Sequence, residues 1–196
     1  MQSRPKEIQA FIDAARILFA VETRSKEARD LAVEIFARLE QPGEFRFEKR
    51  ERFPACDSLD KALEPYSDAD DAYGQVAKRI KALEPFIGWS RRMTVANASP
   101  NFLEGHANGM ICGPGGIEER RDLQLGFTVM KPDVRYPDHS HPPEETYVLM
   151  STGEFRKDRG PWLSPGIGGG IHNASNAVHA VRSDDKPFLA LWCLKI

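Results

Sequence analysis

The chain has 196 residues, enough for one domain or one domain with a substantial extension. Its 41% hydrophobic content is ordinary for a globular protein, and a net charge of −2 lacks the basic bias of a nucleic-acid or membrane-surface binder. No apolar run approaches the ~20 residues of a membrane span. The start, Met1-Gln-Ser-Arg-Pro5, has no signal-peptide core, and the widely spaced Cys56, Cys112 and Cys193 read as reduced thiols of a cytoplasmic protein.

The first 90 residues carry helical patterns. Residues 5–22 have Pro5 in the first turn and Ile8, Phe11, Ile12, Ala15, Leu18 and Phe19 at the helical apolar period. Thr23 and Ser25 offer a cap for a second helix with the stripe Ala28, Leu31, Ala32, Ile35, Phe36 and Leu39, stopped by Pro42-Gly43. Residues 44–53 interleave glutamates with basic residues and read as a solvated connector. A short helical piece is expected over 57–65 and a longer one over 68–84, ended by Pro85. Tyr66, Tyr73 and Trp89 read as core or as the mouth of a pocket.

From about residue 90 the texture changes to short strand-like segments separated by Gly, Pro, Asn and Asp, the pattern of an all-β barrel. The expected strands are 91–96, 106–112, 123–130, 144–150, 153–157, 169–173, 178–183 and 187–194. The Gly-rich runs 113–116 and 166–170 lack the Gly-Lys-Ser/Thr ending of a phosphate loop and read as barrel turns. His106 is isolated and reads as a satisfied or exposed histidine; His172, on a glycine-flanked strand, could line the barrel.

The densest chemistry lies in Tyr136-Pro-Asp-His139-Ser-His141-Pro-Pro-Glu144-Glu145-Thr-Tyr147. Alternate side chains of an extended strand point the same way, so His139 and His141 can face one point and Glu145 and Tyr147 can face it from the next stretch. The paired prolines forbid a helix and favour a bend between two extended pieces. Imidazole plus carboxylate is the ligand mix of a borderline divalent metal such as zinc, iron, nickel or manganese.

The spacing His139-x-His141-x3-Glu145-x7-Gly153 resembles the first motif of the cupins, small β-barrels with an interior metal. A cupin's second motif brings one more histidine from a later strand, and His172 and His179 are the candidates. His179 heads an alternating strand in a segment that looks like this motif with its proline missing, and is preferred. Together with Gly153-Glu-Phe-Arg156, Trp162 and the closing Leu189-Ala-Leu-Trp192-Cys-Leu194, the Tyr/His/His/Glu/Tyr string resembles the cupin-type dimethylsulfoniopropionate (DMSP) lyases of marine bacteria, the Q type in particular. The similarity covers most of residues 120–196. It implies a mainly β cupin barrel over 91–196, an N-terminal α-helical extension over 1–90, and metal ligands His141, Glu145, Tyr147 and His179, with His139 and Tyr136 lining the site.

An enzyme of this kind binds one divalent metal, zinc or iron first, with manganese or nickel as further candidates. It binds a small carboxylate substrate, removes the proton beside the carboxylate and expels dimethyl sulfide, leaving acrylate. A metal-lowered phenolate is the expected base, Tyr147 ahead of Tyr136 and His139. Tyr136, Trp162 and Trp192 are the aromatic candidates for holding the sulfonium. Another metal-dependent cupin enzyme (a dioxygenase or isomerase) and a non-catalytic small-ligand-binding cupin are the alternative readings.

Overall fold

The computed structural model describes residues 3–196. In chain order the elements begin with α1 (Lys6–Glu22) and α2 (Lys26–Arg38), the latter capped by Ser25, whose hydroxyl accepts from the Ala28 N–H at 3.1 Å. Next come β1 (Glu44–Phe45), α3 (Leu59–Leu63), α4 (Ala72–Leu83), β2 (Gly88–Ser90) and the single turn α5 (Phe102–Gly105). The strands β3 (His106–Cys112), β4 (Glu118–Glu119), β5 (Leu123–Met130), β6 (Arg135–His139), β7 (Glu144–Leu149), β8 (Glu154–Lys157), β9 (Gly170–Asn173), β10 (His179–Arg182) and β11 (Phe188–Lys195) complete the chain. No helix among the described residues is long and apolar enough to cross a membrane.

Two expectations are corrected. Residues 91–96 form no strand; the strand there is β2, whose Gly88, Trp89 and Ser90 pair with Met110, Gly109 and Asn108. The chain leaves the ladder at Arg92 because its backbone N–H donates to the His106 imidazole instead. The connector over 44–53 is not wholly solvated, since Glu44 and Phe45 pair with Glu119 and Glu118 at the sheet edge.

Strands β1-β4-β3-β5-β11-β7-β9 form one sheet in that order, with β2 also paired to β3; β6-β10-β8 form a second. The large sheet is covered on both faces. Alternation along β11 sends Leu189, Leu191 and Cys193 into the core shared with α1, α2 and α4, and Phe188, Ala190, Trp192 and Leu194 into the barrel interior. That double burial explains why β11 reads as an unbroken apolar run. Tyr66, Tyr73 and Trp89 pack on the helical side: the two tyrosines stack at 5.3 Å, and Trp89 meets Phe127 edge-on at 5.5 Å. The molecule is therefore mainly β, a cupin-type barrel with a helical layer on one face.

Candidate metal centre

Three strands deliver the site. Glu145 and Tyr147 lie on the interior face of β7, His139 ends β6, and His141 sits in the Pro-Pro bend between the two. His179 starts β10 directly opposite His139, and just beyond it the register slips, so that Pro137 and Asp138 face the single Ala180. Proline has no N–H to give to a ladder, and a bulge is where a sheet tolerates it. The bulge leaves the His139 and His179 rings 4.2 Å apart, with His141 at 6.0 Å from His139 and 5.1 Å from His179. Ligand atoms of all three histidines fall within 4.8 Å of one another.

The three imidazoles share one orientation device. Nδ1 of His139 meets the Pro137 carbonyl at 2.9 Å, that of His141 the Pro143 carbonyl at 2.8 Å, and that of His179 the Ala177 carbonyl at 2.9 Å. A carbonyl only accepts, so each Nδ1 carries the hydrogen and, in the neutral ring, each Nε2 is left as a lone pair. Two of these Nε2 atoms face Glu145 Oε2, at 3.2 Å from His141 and 3.3 Å from His179. The second contact lacks hydrogen-bond geometry, and His179 Nε2 is buried without a partner. Lone pairs turned toward a buried carboxylate require a proton or a cation between them. Histidines anchored through Nδ1, with Nε2 directed inward, suit a metal.

Electrostatics follow the same geometry. Burial pushes the Glu145 carboxyl up, but the His141 and His179 contacts outweigh it and hold the group well below the usual carboxylate range. Burial lowers His141 too, but its bond to Glu145 wins and raises it; His139, buried and facing the charge of His179, is pushed down to about 4. Asn173, paired with Glu145 across β7 and β9, donates to Oε2 at 3.1 Å.

The cluster borders a cavity of about 160 Å³ that also takes in Tyr136, Tyr147 and Trp192. Burial raises both phenols, and Glu145 pushes each in the same direction. Trp192 faces Gly126 in the β5–β11 register, and a Cβ there would lie 2.5 Å from the indole, so only glycine lets the ring lie flat across β5. The indole N–H then donates to Thr128 Oγ1 at 3.0 Å, and Thr128 donates to Asn108 Oδ1 at 2.7 Å. Indole nitrogen is a donor only, which fixes the direction of the chain and the orientation of the Asn108 amide. The amide N–H is thereby turned to the Tyr136 oxygen, at 3.4 Å.

Of the residues expected at the site, His139, His141, Glu145, Tyr147, His179, Tyr136 and Trp192 come together. His139 stands among the metal-competent atoms rather than behind them. Trp162 does not line the cavity: its ring lies under the guanidiniums of Arg182, Arg156 and Arg135 at 4.4, 4.9 and 5.7 Å. His172 stays outside the cluster and donates to Glu144 at 2.7 Å. His106 is fully buried and satisfied on both nitrogens. Sequence reasoning missed Arg92, Asn108, Thr128 and Asn173. For the strand residues the legible signal was a polar side chain at an interior position, as with Thr128 between Phe127 and Val129; Arg92 lies in no strand and had none.

The family model of the dimethylsulfoniopropionate lyases matches residues 27–190. The chain belongs to that family. The DMSP lyase DddQ of Ruegeria pomeroyi is 28% identical over 121 residues, 61% of this chain and 60% of that one, so the matched stretch spans less than two thirds of the relative. Its crystal structure superposes with a TM-score of 0.69 at 22% identity, covering 96% of this chain and 92% of that chain. A chain from the structures of the DMSP lyases RdDddP and RnDddQII gives 0.70 at 22% identity, with 97% and 92% covered. At that identity the two superpositions establish a shared fold.

Proposed function

We propose that the chain is a metal-dependent DMSP lyase that eliminates dimethyl sulfide from dimethylsulfoniopropionate and leaves acrylate. The observation that carries this is the cluster of three Nδ1-anchored histidines, two of them facing buried Glu145, at the wall of a small cavity lined by two phenols. Family membership supplies the chemistry. His141, Glu145, Tyr147 and His179 would hold the metal, with His139 beside them. A bound divalent cation, zinc or iron first and manganese or nickel next, supplies a Lewis acid that acidifies the C–H bond beside the substrate carboxylate.

The remaining steps fall to side chains. A phenolate oxygen takes the α-proton, the electron pair forms the carbon–carbon double bond, and the sulfonium leaves with its bonding electrons. Tyr147 leads as base because it belongs to the ligand set. Tyr136 is the second candidate, and the Asn108 N–H aimed at its oxygen favours the anionic form. Neutral His139 is the third. The faces of Tyr136 and Trp192 are suited to the sulfonium by cation–π attraction. We propose residues 1–90 as a helical extension packed on a barrel of residues 91–196. Three free, buried cysteines support a reducing, cytoplasmic setting.

The test is a headspace assay for dimethyl sulfide with acrylate measured in parallel. Equal amounts of both, abolished by chelation and restored by a divalent metal, are expected. No acrylate with any of zinc, iron, manganese or nickel would overturn the reading.

A further inference from the structure

We propose that Arg92 receives the carboxylate of the substrate and so sets which end of it faces the metal centre. The identity of the ligand rests on the lyase reading; the argument for an anion site rests on the geometry around Arg92.

Arg92 lines the same cavity as Tyr136, His139 and His141, and its charge reaches all three. No carboxylate among the described residues lies within ion-pair distance of it, and its Nε is buried without a partner. What sets it apart from its neighbours is the missing carboxylate, since Arg135 Nε is unpartnered too. Arg91 pairs with Glu104 at 2.8 Å, and Arg135 and Arg156 share Asp138. The cavity's own carboxylate, Glu145, is taken up by His141, His179 and Asn173. A half-buried cation is thus left at the cavity wall with no protein counter-ion, placed to attract an anion that enters the cavity.

The root of this arginine is fixed, and its head lies beside the Tyr136 phenol with Nε still unpartnered. The Arg92 backbone N–H donates to His106 Nε2 at 2.8 Å, and His106 Nδ1 donates to the Phe102 carbonyl at 2.6 Å. The imidazole is fully buried and stacks on the Phe102 ring at 3.8 Å, 2° from parallel. Both nitrogens are used, in one tautomer, so His106 acts as a neutral strut under Arg92. A guanidinium presents a planar fork that matches a carboxylate. The sulfonium end of a zwitterionic substrate is repelled from the same fork and driven toward the face of Trp192, which lines the same cavity. One residue therefore both attracts one end of the ligand and rejects the other.

The experiment titrates metal-loaded protein by calorimetry with propionate, and with propionamide as its neutral isostere, in wild type, Arg92→Met and Arg92→Lys. Arg92→Met should weaken propionate at least tenfold and leave propionamide unchanged; Arg92→Lys should recover part of the loss. With DMSP, Arg92→Met should raise KM more than it lowers kcat. Propionate binding to Arg92→Met at wild-type strength overturns the proposal, as does an equal loss of both probes. Should Arg92→Met fail to fold, Arg92→Lys decides: propionate held at wild-type strength while propionamide changes would overturn it equally. If wild-type protein releases no dimethyl sulfide yet binds propionate through Arg92, the lyase reading fails and the carboxylate site stands.

Discussion

Replacing Thr128 with valine removes a hydroxyl and keeps the side-chain shape. Thr128 is 5% exposed, and its oxygen both accepts from Trp192 Nε1 at 3.0 Å and donates to Asn108 Oδ1 at 2.7 Å. The substitution leaves a buried indole N–H without an acceptor, which costs about 1–3 kcal/mol. Asn108 is half-buried and recovers part of its loss from water. A destabilisation of about 2 kcal/mol follows, or a Tm lowered by about 4–8 °C for a chain of this size. Trp192→Phe deletes the donor, so Thr128→Val should cost less in that background, with a coupling of about 1 kcal/mol. Urea titration of the wild type, both single variants and the double variant measures this. The amide of Asn108 also loses its fixed orientation, so Thr128→Val should lower kcat while metal content holds. A cost below about 0.5 kcal/mol, or an equal cost with and without the indole N–H, would refute the directed chain from Trp192 to Tyr136.

His141→Ala and His179→Ala should each lose most of the metal in elemental analysis and stay folded. If His179→Ala keeps its metal and His172→Ala loses it, the ligand from the later strand is misassigned. Exchange of the substrate's α-hydrogen with deuterated solvent separates the bases: Tyr147→Phe should stop it, and wild-type exchange in that variant at full metal occupancy would pass the role to Tyr136. Burial pushes the Asp138 carboxyl up, but Arg156 and Arg135 outweigh it and lower its pKa. A depressed folded-state pKa contributes stability that is complete above the unfolded value near 3.8 and lost as pH falls through the folded one. The urea midpoint should therefore drop more steeply below about pH 4 in wild type than in Asp138→Asn; parallel curves would remove Asp138 as a source of acid stability.

Local patterns were enough for much of the fold. The helices over 6–22 and 26–38 follow an apolar period of one helical face, and the strands β3, β5, β7 and β11 lie within a residue or two of their expected bounds, because both periodicities are fixed by backbone geometry. The His/His/Glu/Tyr string was legible for the same reason, since strand alternation and two prolines leave few ways to aim it. What the sequence could not supply were relations between distant segments. Strand β2 ends at Ser90, before the expected one begins, and the next inward N–H, that of Arg92, finds His106, fourteen residues on. His139 joins the cluster next to a bulge opposite Ala180, and bulges depend on the partner strand. Trp162 and Trp192 are equally plausible aromatic partners by type. Packing under three arginines removes one from the cavity, and a facing glycine lays the other across it. Arg92 carries no local motif at all; its meaning lies in the absence of a carboxylate around it, which only the folded arrangement of charges decides.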